Sequence, residues 1–162
     1  MKNIVLIGMM GCGKTTISQL LNKKLNRPQI DIDEYLEDKY HMTIPEMFDI
    51  SEEYFREKET ICCDDVSRLD GYIISTGGGV IKNKKNIDIL SKNGCIFYID
   101  RPIENIYQDV DVSSRPLLKD GPEKLYELYE ERHQKYLDAC DFHIHNDGTL
   151  DDVVEKIIES LK

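Results

Sequence analysis

The chain has 162 residues, of which 31 are acidic and 21 are Lys or Arg, so its formal net charge is −10 at pH 7. This acidity argues against nucleic-acid binding, because a phosphate backbone requires a basic protein face. Apolar residues make up 40% of the chain, which suits a globular domain, and no apolar run is long enough to span a membrane.

Cysteine usage and the start of the chain indicate a cytoplasmic protein. The five cysteines are odd in number and are scattered, apart from the neighbours Cys62 and Cys63. This pattern favours free thiols in a reducing compartment over disulfides or a zinc site. Only Met1, Lys2 and Asn3 open the chain before its first apolar run, so we expect no secretory signal peptide.

A P-loop follows the first predicted strand. Residues 2–7 form a short apolar run, and residues 8–15 read GMMGCGKT before a segment with helical apolar spacing. The loop amides at the positive end of a helix suit phosphate oxygens. Lys14 would reach the β- and γ-phosphates and Thr15 would bind Mg²⁺; a glycine-rich turn before an ordinary helix is the alternative. The predicted phosphate-binding residues are Gly8, Met9, Met10, Gly11, Cys12, Gly13, Lys14, Thr15 and Thr16.

Two acids stand at the end of the second predicted strand. This strand covers residues 29–33, and on an extended chain the side chains of Asp31 and Asp33 would point the same way. A helical region is predicted over residues 34–40. A capping box at residues 43–46 then starts a further helix.

The rest of the chain continues to alternate between helices and strands. Ser51 is expected to cap a helix that runs to about residue 69. Three consecutive glycines follow the strand predicted over residues 72–76. Residues 109–120 lack periodicity and predict a mobile loop. The remaining predicted helices cover residues 83–92, 102–107, 122–139 and 149–161, and the remaining strands cover residues 95–99 and 142–144.

This alternation predicts an α/β fold in which helices cover both faces of a parallel sheet. Ligands bind outside the carboxyl ends of the strands in such sheets. The P-loop, the two acids and the glycine run all follow predicted strands, so we expect them to meet at one edge of the sheet.

Six motifs together resemble those of the shikimate kinase family, and they extend over essentially the whole chain. They are GMMGCGKT at 8–15, DID at 31–33, FREKE at 55–59, GGG at 77–79, RPLL at 115–118 and ERHQKY at 131–136. The resemblance implies a three-layer α/β/α P-loop kinase fold with a five-stranded parallel sheet of order 2-3-1-4-5. It also implies one domain over residues 1–162, with a substrate-binding helical segment at about 33–61 and a mobile lid at about 109–119.

The resemblance further implies ATP-dependent phosphorylation of the 3-hydroxyl of shikimate with Mg²⁺. Asp33 matches the catalytic acid that contacts the substrate hydroxyl, although it could instead cap the helix that follows. Lys14 and Arg115, the latter in the lid, match the cations that stabilise the transferring phosphate. Thr15 and Asp31 match the metal site, Asp31 acting through water, with a solvated acid as the alternative for Asp31.

The resemblance also identifies a site for the substrate carboxylate. Arg56 and Arg132 match a pair that clamps it, for which the bidentate guanidinium is well suited. Each arginine alone would more often be a surface ion-pair residue. Glu59 lies three residues after Arg56, close enough on a helix to orient it. The expected substrate-binding residues are Asp33, Arg56, Glu59, Gly77, Gly78, Gly79 and Arg132.

Several features depart from this pattern or are weak. Gln108 stands where many members of the family carry an arginine against adenine. Residues 146–149 fall where the family wraps adenine, but they suit a loop and helix cap equally well. We interpret Cys12 as a tolerated variable position, and His143 and His145 as structural residues.

Two alternative functions are also compatible with the sequence. One is another small P-loop kinase, acting on gluconate or a nucleoside monophosphate. The other is a nucleotide-dependent switch without catalysis, although the D-x-x-G and N-K-x-D motifs of GTPase switches do not occur. The expected partners are ATP and shikimate, with no nucleic acid and no membrane, and we expect a monomer.

Overall fold

The computed structural model describes residues 1–109 and 121–162. Five strands in these ranges form one parallel sheet of order β2-β3-β1-β4-β5, as predicted. The strands are β1 Asn3–Ile7, β2 Gln29–Asp31, β3 Ile73–Ser75, β4 Gly94–Asp100 and β5 Phe142–His145.

Eight α-helices flank the sheet in the described ranges. They are α1 Lys14–Leu25, α2 Ile32–Tyr40, α3 Ile44–Ile50, α4 Glu52–Ser67, α5 Lys84–Ser91, α6 Ile103–Asp109, α7 Glu123–Ala139 and α8 Leu150–Ser160. A short 3₁₀ turn over Val80–Lys82, which the sequence analysis did not predict, follows the glycine run.

The central strand, β1, packs against helices on both faces of the sheet, which gives the fold three layers. Residues 4–7 of β1 are fully buried, and alternate side chains point to opposite faces of the sheet. Ile4 and Leu6 pack into the core beneath α1 and α8, whereas Val5 and Ile7 pack into the core beneath the helices of the other face. A strand buried on both faces needs an unbroken apolar run, which is what this segment has.

Side-chain caps define the helix starts that the sequence predicted. Thr43 and Glu46 form the complete capping box at the start of α3. The Ser51 hydroxyl accepts a 2.9 Å hydrogen bond from the amide of Tyr54, and the Thr149 hydroxyl caps α8 in the same way. Each cap satisfies an amide that the first helical turn leaves unpaired.

The second strand is shorter than predicted, and this changes the place of Asp33. β2 ends at Asp31, and α2 begins at Ile32, so Asp33 lies in the first helical turn. Asp31 is the N-cap, because its Oδ1 accepts hydrogen bonds from the amides of Asp33 (2.9 Å) and Glu34 (3.1 Å). The predicted strand over residues 29–33 and the alternative role of Asp33 as a cap are therefore wrong.

The predicted lid at 109–119 lies outside the described residues except for Asp109, the last residue of α6. Arg115 is among the residues outside. No helix in the described parts of the chain has the length and apolarity that crossing a membrane requires.

Candidate active site

The P-loop joins β1 to α1 and lies against the end of β4. Gly8 and Gly13 have φ values of 150° and 105°, which residues with a side chain rarely adopt. A Cβ on Gly8 would also lie 2.5 Å from the carbonyl oxygen of Ile99. The loop conformation therefore depends on glycine at these two positions.

The Lys14 ammonium lies within the loop. It donates hydrogen bonds to the carbonyl oxygens of Gly8 (2.6 Å) and Met9 (3.0 Å). A contact with a nucleotide phosphate therefore requires Nζ to turn away from these carbonyls, and the predicted phosphate contact of Lys14 stays a prediction.

A cleft of about 390 Å³ opens beside the loop. It is lined by residues 10–16 of the P-loop, by Asp31 and Asp33 from the start of α2, and by residues 75–78 after β3. The carboxyl ends of three adjacent strands thus bring the predicted phosphate and metal residues to one place. The Thr15 hydroxyl and the Asp31 carboxylate are hard oxygen ligands, which fit Mg²⁺.

Asp33 presents a buried, unpaired carboxylate oxygen. Its Oδ1 has no hydrogen-bond partner among the described residues. Burial raises the pKa of Asp33 to about 6, with further contributions from the charges of Asp31 and Glu59 and an opposing one from Lys14. A Cβ on Gly77 would lie only 3.0 Å from Oδ1. The carboxylate therefore faces the glycine run as a hydrogen-bond acceptor with a pKa raised to about 6.

Arg56 is held on α4 by two carboxylates. Its Nη1 donates to Glu59 Oε1 at 2.9 Å, and its Nε donates to Glu52 Oε2 at 3.2 Å. The guanidinium also lies over the Phe55 ring, 4.9 Å from the centroid. A Cβ on Gly79 would come within 2.5 Å of Nη2, so a side chain at this position would displace the guanidinium.

Arg132 approaches the glycine run from α7. Its Nη1 lies 3.3 Å from the place that a Cβ on Gly78 would occupy. Its buried Nε has no hydrogen-bond partner among the described residues. One turn further on, the Tyr136 hydroxyl donates a 2.5 Å hydrogen bond to the Gly78 carbonyl. Two arginines from different helices therefore meet at neighbouring glycines.

Comparison with known proteins gives the same family that the motifs suggested. The shikimate kinase family model matches residues 10–162. A shikimate kinase of Clostridium botulinum (strain Alaska E43 / Type E3) is 48% identical over 158 residues, covering 97% of this chain and 96% of that protein. A shikimate kinase of Clostridium beijerinckii is also 48% identical, covering 98% and 95%. The chain belongs to the shikimate kinase family.

Solved structures of shikimate kinases have the same fold. One is the enzyme of Acinetobacter baumannii in complex with shikimate, with a TM-score of 0.90 and 32% identity over 99% of this chain and 93% of that one. The enzyme of Aquifex aeolicus gives a TM-score of 0.85 and 34% identity over 98% and 95%. Membership of this family confirms the prediction of an ATP-dependent kinase whose acceptor is a hydroxyl group. It does not support the gluconate kinase and switch alternatives.

Arg101 is a residue of the candidate site that the sequence motifs did not indicate. Its Nη1 donates a 3.0 Å hydrogen bond to the carbonyl oxygen of Gly11 in the P-loop, and its Nη2 pairs with Asp109. The sequence could have indicated Arg101, because an arginine directly after a predicted strand lies at the ligand-binding edge of the sheet.

Asn146 also supports the loop. Its Nδ2 donates to the Cys12 carbonyl at 2.9 Å, and its side chain is buried. Asn146, the first residue of the segment 146–149, therefore contacts the P-loop directly. Whether this segment lies near adenine stays a prediction. The Cys12 thiol is buried, and its Sγ lies 3.7 Å from the Lys14 ammonium. The interpretation of Cys12 as a tolerated variable position stays a prediction.

Proposed function

We propose that this protein transfers the γ-phosphoryl group of ATP to the 3-hydroxyl of shikimate, giving 3-phosphoshikimate and ADP. One observation carries the proposal: Asp33, Arg132 and Arg56 lie beside Gly77, Gly78 and Gly79 in that order. The middle glycine also adjoins the P-loop, since a Cβ there would lie 3.6 Å from the Met10 amide nitrogen. The predicted carboxylate-binding pair, the predicted proton acceptor and the P-loop thus lie around one short segment.

The substrate carboxylate would bind between the guanidinium groups of Arg56 and Arg132. Each can donate two parallel hydrogen bonds to a carboxylate, which fixes orientation as well as position. Glu59 is 1% exposed and holds Arg56 through a 2.9 Å contact, which would limit the rotation of that guanidinium. The glycine run would let the ring approach the backbone closely.

Asp33 would position the substrate hydroxyl and accept its proton as the oxygen attacks the γ-phosphorus. Its unpaired Oδ1 supports this role, because a buried acceptor normally has a donor. Phosphoryl transfer depends mainly on positioning and charge stabilisation. Lys14 and Arg115 would neutralise charge on the transferring group; Arg115 lies outside the described residues.

The phosphates of ATP would bind to the P-loop amides of residues 8–16. Thr15 and Asp31 would hold Mg²⁺, Asp31 through a water molecule, as the resemblance to the family implies. Bound with ATP, Mg²⁺ neutralises charge on the phosphate oxygens. The five cysteines are free thiols, which is in keeping with a reducing cytoplasm. We further expect a monomer, which sedimentation equilibrium would test.

The test is a coupled ADP-release assay with Mg-ATP and, in turn, shikimate, gluconate and nucleoside monophosphates. We expect shikimate alone to accelerate ADP release and chelation of Mg²⁺ to abolish it. Phosphorus NMR of the product should show a phosphate monoester on the 3-oxygen. Acceleration by gluconate only, or transfer to another hydroxyl of shikimate, would overturn the proposal.

A further inference from the structure

A carboxylate and two imidazoles meet at the edge of the sheet, apart from the cleft described above. Asp100 is the last residue of β4. His143 and His145 lie two residues apart on β5, so these two histidines share a face of the sheet. One ligand atom from each of the three lies within 4.8 Å of the others. Asp100 is buried, His143 is half-buried and His145 is exposed, so the group opens to solvent on one side.

The distances in this group are close to those of a metal site. His143 Nε2 lies 2.8 Å from Asp100 Oδ2. Two ligands at about 2.0 Å from a tetrahedral Zn²⁺ are about 3.3 Å apart, so this pair needs to separate by only about 0.5 Å. The rings of His143 and His145 lie side by side, with centroids 4.3 Å apart. A rotation of the exposed His145 side chain would complete three ligands.

The buried side of the group is already ordered. The Tyr129 hydroxyl donates to Asp100 Oδ1 at 3.3 Å, and the amide of Asn146 donates to the Asp100 carbonyl at 2.7 Å. The Tyr98 ring stacks on His143 at 5.0 Å with an interplanar angle of 9°. Hydrogen bonds and packing of this kind orient the ligands of protein metal sites.

A fourth protein ligand is not required. His133 Nδ1 lies 4.0 Å from Asp100 Oδ2 but is hydrogen-bonded to the Tyr98 hydroxyl at 2.8 Å. We therefore place His133 outside the ligand set. Three protein ligands with an open side leave one position for water.

We propose that Asp100, His143 and His145 bind a divalent transition metal of the zinc type, at a site separate from the Mg²⁺ that accompanies ATP. Imidazole nitrogen selects Zn²⁺, Co²⁺ and Ni²⁺ over Mg²⁺ and Ca²⁺, which prefer oxygen ligands. A structural histidine–aspartate pair would account for His143 alone. It does not account for the second imidazole of His145 beside the first.

The experiment is a Zn²⁺ titration of the metal-free full chain by calorimetry, with excess Mg²⁺ present to occupy oxygen sites. We expect one Zn²⁺ per chain, and an affinity at least about 10-fold lower in His145→Ala, which removes an exposed ligand without disturbing the core. The matched control is His41→Asn. It replaces an exposed histidine outside the group, and Asn tolerates the left-handed backbone of that position.

A second measurement distinguishes imidazole ligands from thiols. Zn²⁺ should shift the side-chain ¹⁵N resonances of His143 and His145 and leave those of His41 unchanged. Co²⁺ in the same site should give no thiolate charge-transfer band. Equal Zn²⁺ affinity of His145→Ala and the wild type, histidine shifts spread over all four residues, or a thiolate band would each overturn the proposal.

Discussion

The Tyr136 hydroxyl donates a 2.5 Å hydrogen bond to the carbonyl oxygen of Gly78, the middle residue of the glycine run. Tyr136 is fully buried, and its ring stacks on Tyr98 with a centroid distance of 4.9 Å. It follows Arg132 by one turn of α7. The bond therefore ties the position of the glycine run to the helix that carries one arginine of the proposed carboxylate clamp.

Removing this bond should weaken shikimate binding more than ATP binding. Tyr136→Phe keeps the buried ring but leaves the Gly78 carbonyl without its donor, which should lower the free energy of unfolding by about 1 kcal/mol. We expect the shikimate KM to rise by about 3- to 10-fold, corresponding to about 0.6–1.4 kcal/mol, with a smaller change in the ATP KM. Steady-state kinetics and urea unfolding provide the measurements.

Tyr126→Phe is the control for this change, because Tyr126 lies on the same helix, is 41% exposed and bonds to Glu104. It should leave the shikimate KM unchanged. If both variants raised that KM equally, the Tyr136–Gly78 bond would have no specific positioning role.

Asp33→Asn should remove turnover while leaving shikimate binding measurable. The amide keeps the size of the side chain but cannot accept the proton of the substrate hydroxyl. We expect kcat to fall by at least about 100-fold, the usual scale for a general base, while the shikimate Kd from calorimetry changes by only about 3-fold or less. Asp38→Asn, an exposed acid on the same helix, serves as the control. Full turnover in Asp33→Asn would contradict the assigned role.

The raised pKa of Asp33 predicts a pH dependence of activity. Burial raises this pKa to about 6, so the carboxylate should be protonated in much of the free enzyme below that pH. We therefore expect kcat/KM for shikimate to fall about tenfold per pH unit on the acid side of pH 6. Rate measurements across this range test it, and a profile flat down to about pH 4 would contradict it.

The same shift predicts a pH-dependent stability difference between the wild type and Asp33→Asn. The folded state holds the Asp33 proton more tightly than the unfolded state, so the destabilisation from ionised Asp33 grows as pH rises from 3.8 to about 6. Relative to the wild type, Asp33→Asn should therefore gain stability over this range, by on the order of 1–3 kcal/mol. Urea unfolding at about pH 4 and about pH 7 measures the free energy of unfolding of both proteins. The prediction is contradicted if the difference between Asp33→Asn and the wild type is the same at both pH values.

Arg132→Lys should reduce shikimate affinity, because an ammonium group cannot form the two parallel hydrogen bonds of a guanidinium. We expect the shikimate Kd to rise by at least about 10-fold, a loss of about 1.4 kcal/mol, with little change in nucleotide affinity. Arg68→Lys is the matched control, since the Arg68 side chain is 77% exposed and pairs only with Asp64 among the described residues. An unchanged Kd in Arg132→Lys would argue against the clamp.

Arg101→Ala should affect the nucleotide rather than shikimate. The change removes the donor to the Gly11 carbonyl in the P-loop. We expect the ATP KM to rise by about 3- to 10-fold, the cost of one charge-assisted hydrogen bond, while the shikimate KM stays nearly constant. Arg27→Ala removes a similar bond, to the Lys2 carbonyl at 3.2 Å, and should change neither. A rise confined to the shikimate KM would show that Arg101 does not act through the loop.

Local chemistry was sufficient for much of the fold. The apolar run of β1 and the caps at Thr43, Ser51 and Thr149 depend on neighbouring residues only, and each is present in the structure. The prediction for Asp33 was wrong because the local chemistry is ambiguous there. Asp31 and Asp33 both suit a strand end or a cap, and the buried Ile32 and Leu36 decide between these states by packing against the core.

Sequence alone determined the P-loop, the alternation of strands and helices, and, through six motifs, the family. Tertiary structure decided which distant groups meet: Arg101 reaches Gly11 across 90 positions, Tyr136 reaches Gly78 across 58, and His143 reaches Asp100 across 43. The physical reason is that parallel pairing aligns the carboxyl ends of strands whatever their separation along the chain. The spacing of residues within one segment does not indicate which strands become neighbours in the sheet.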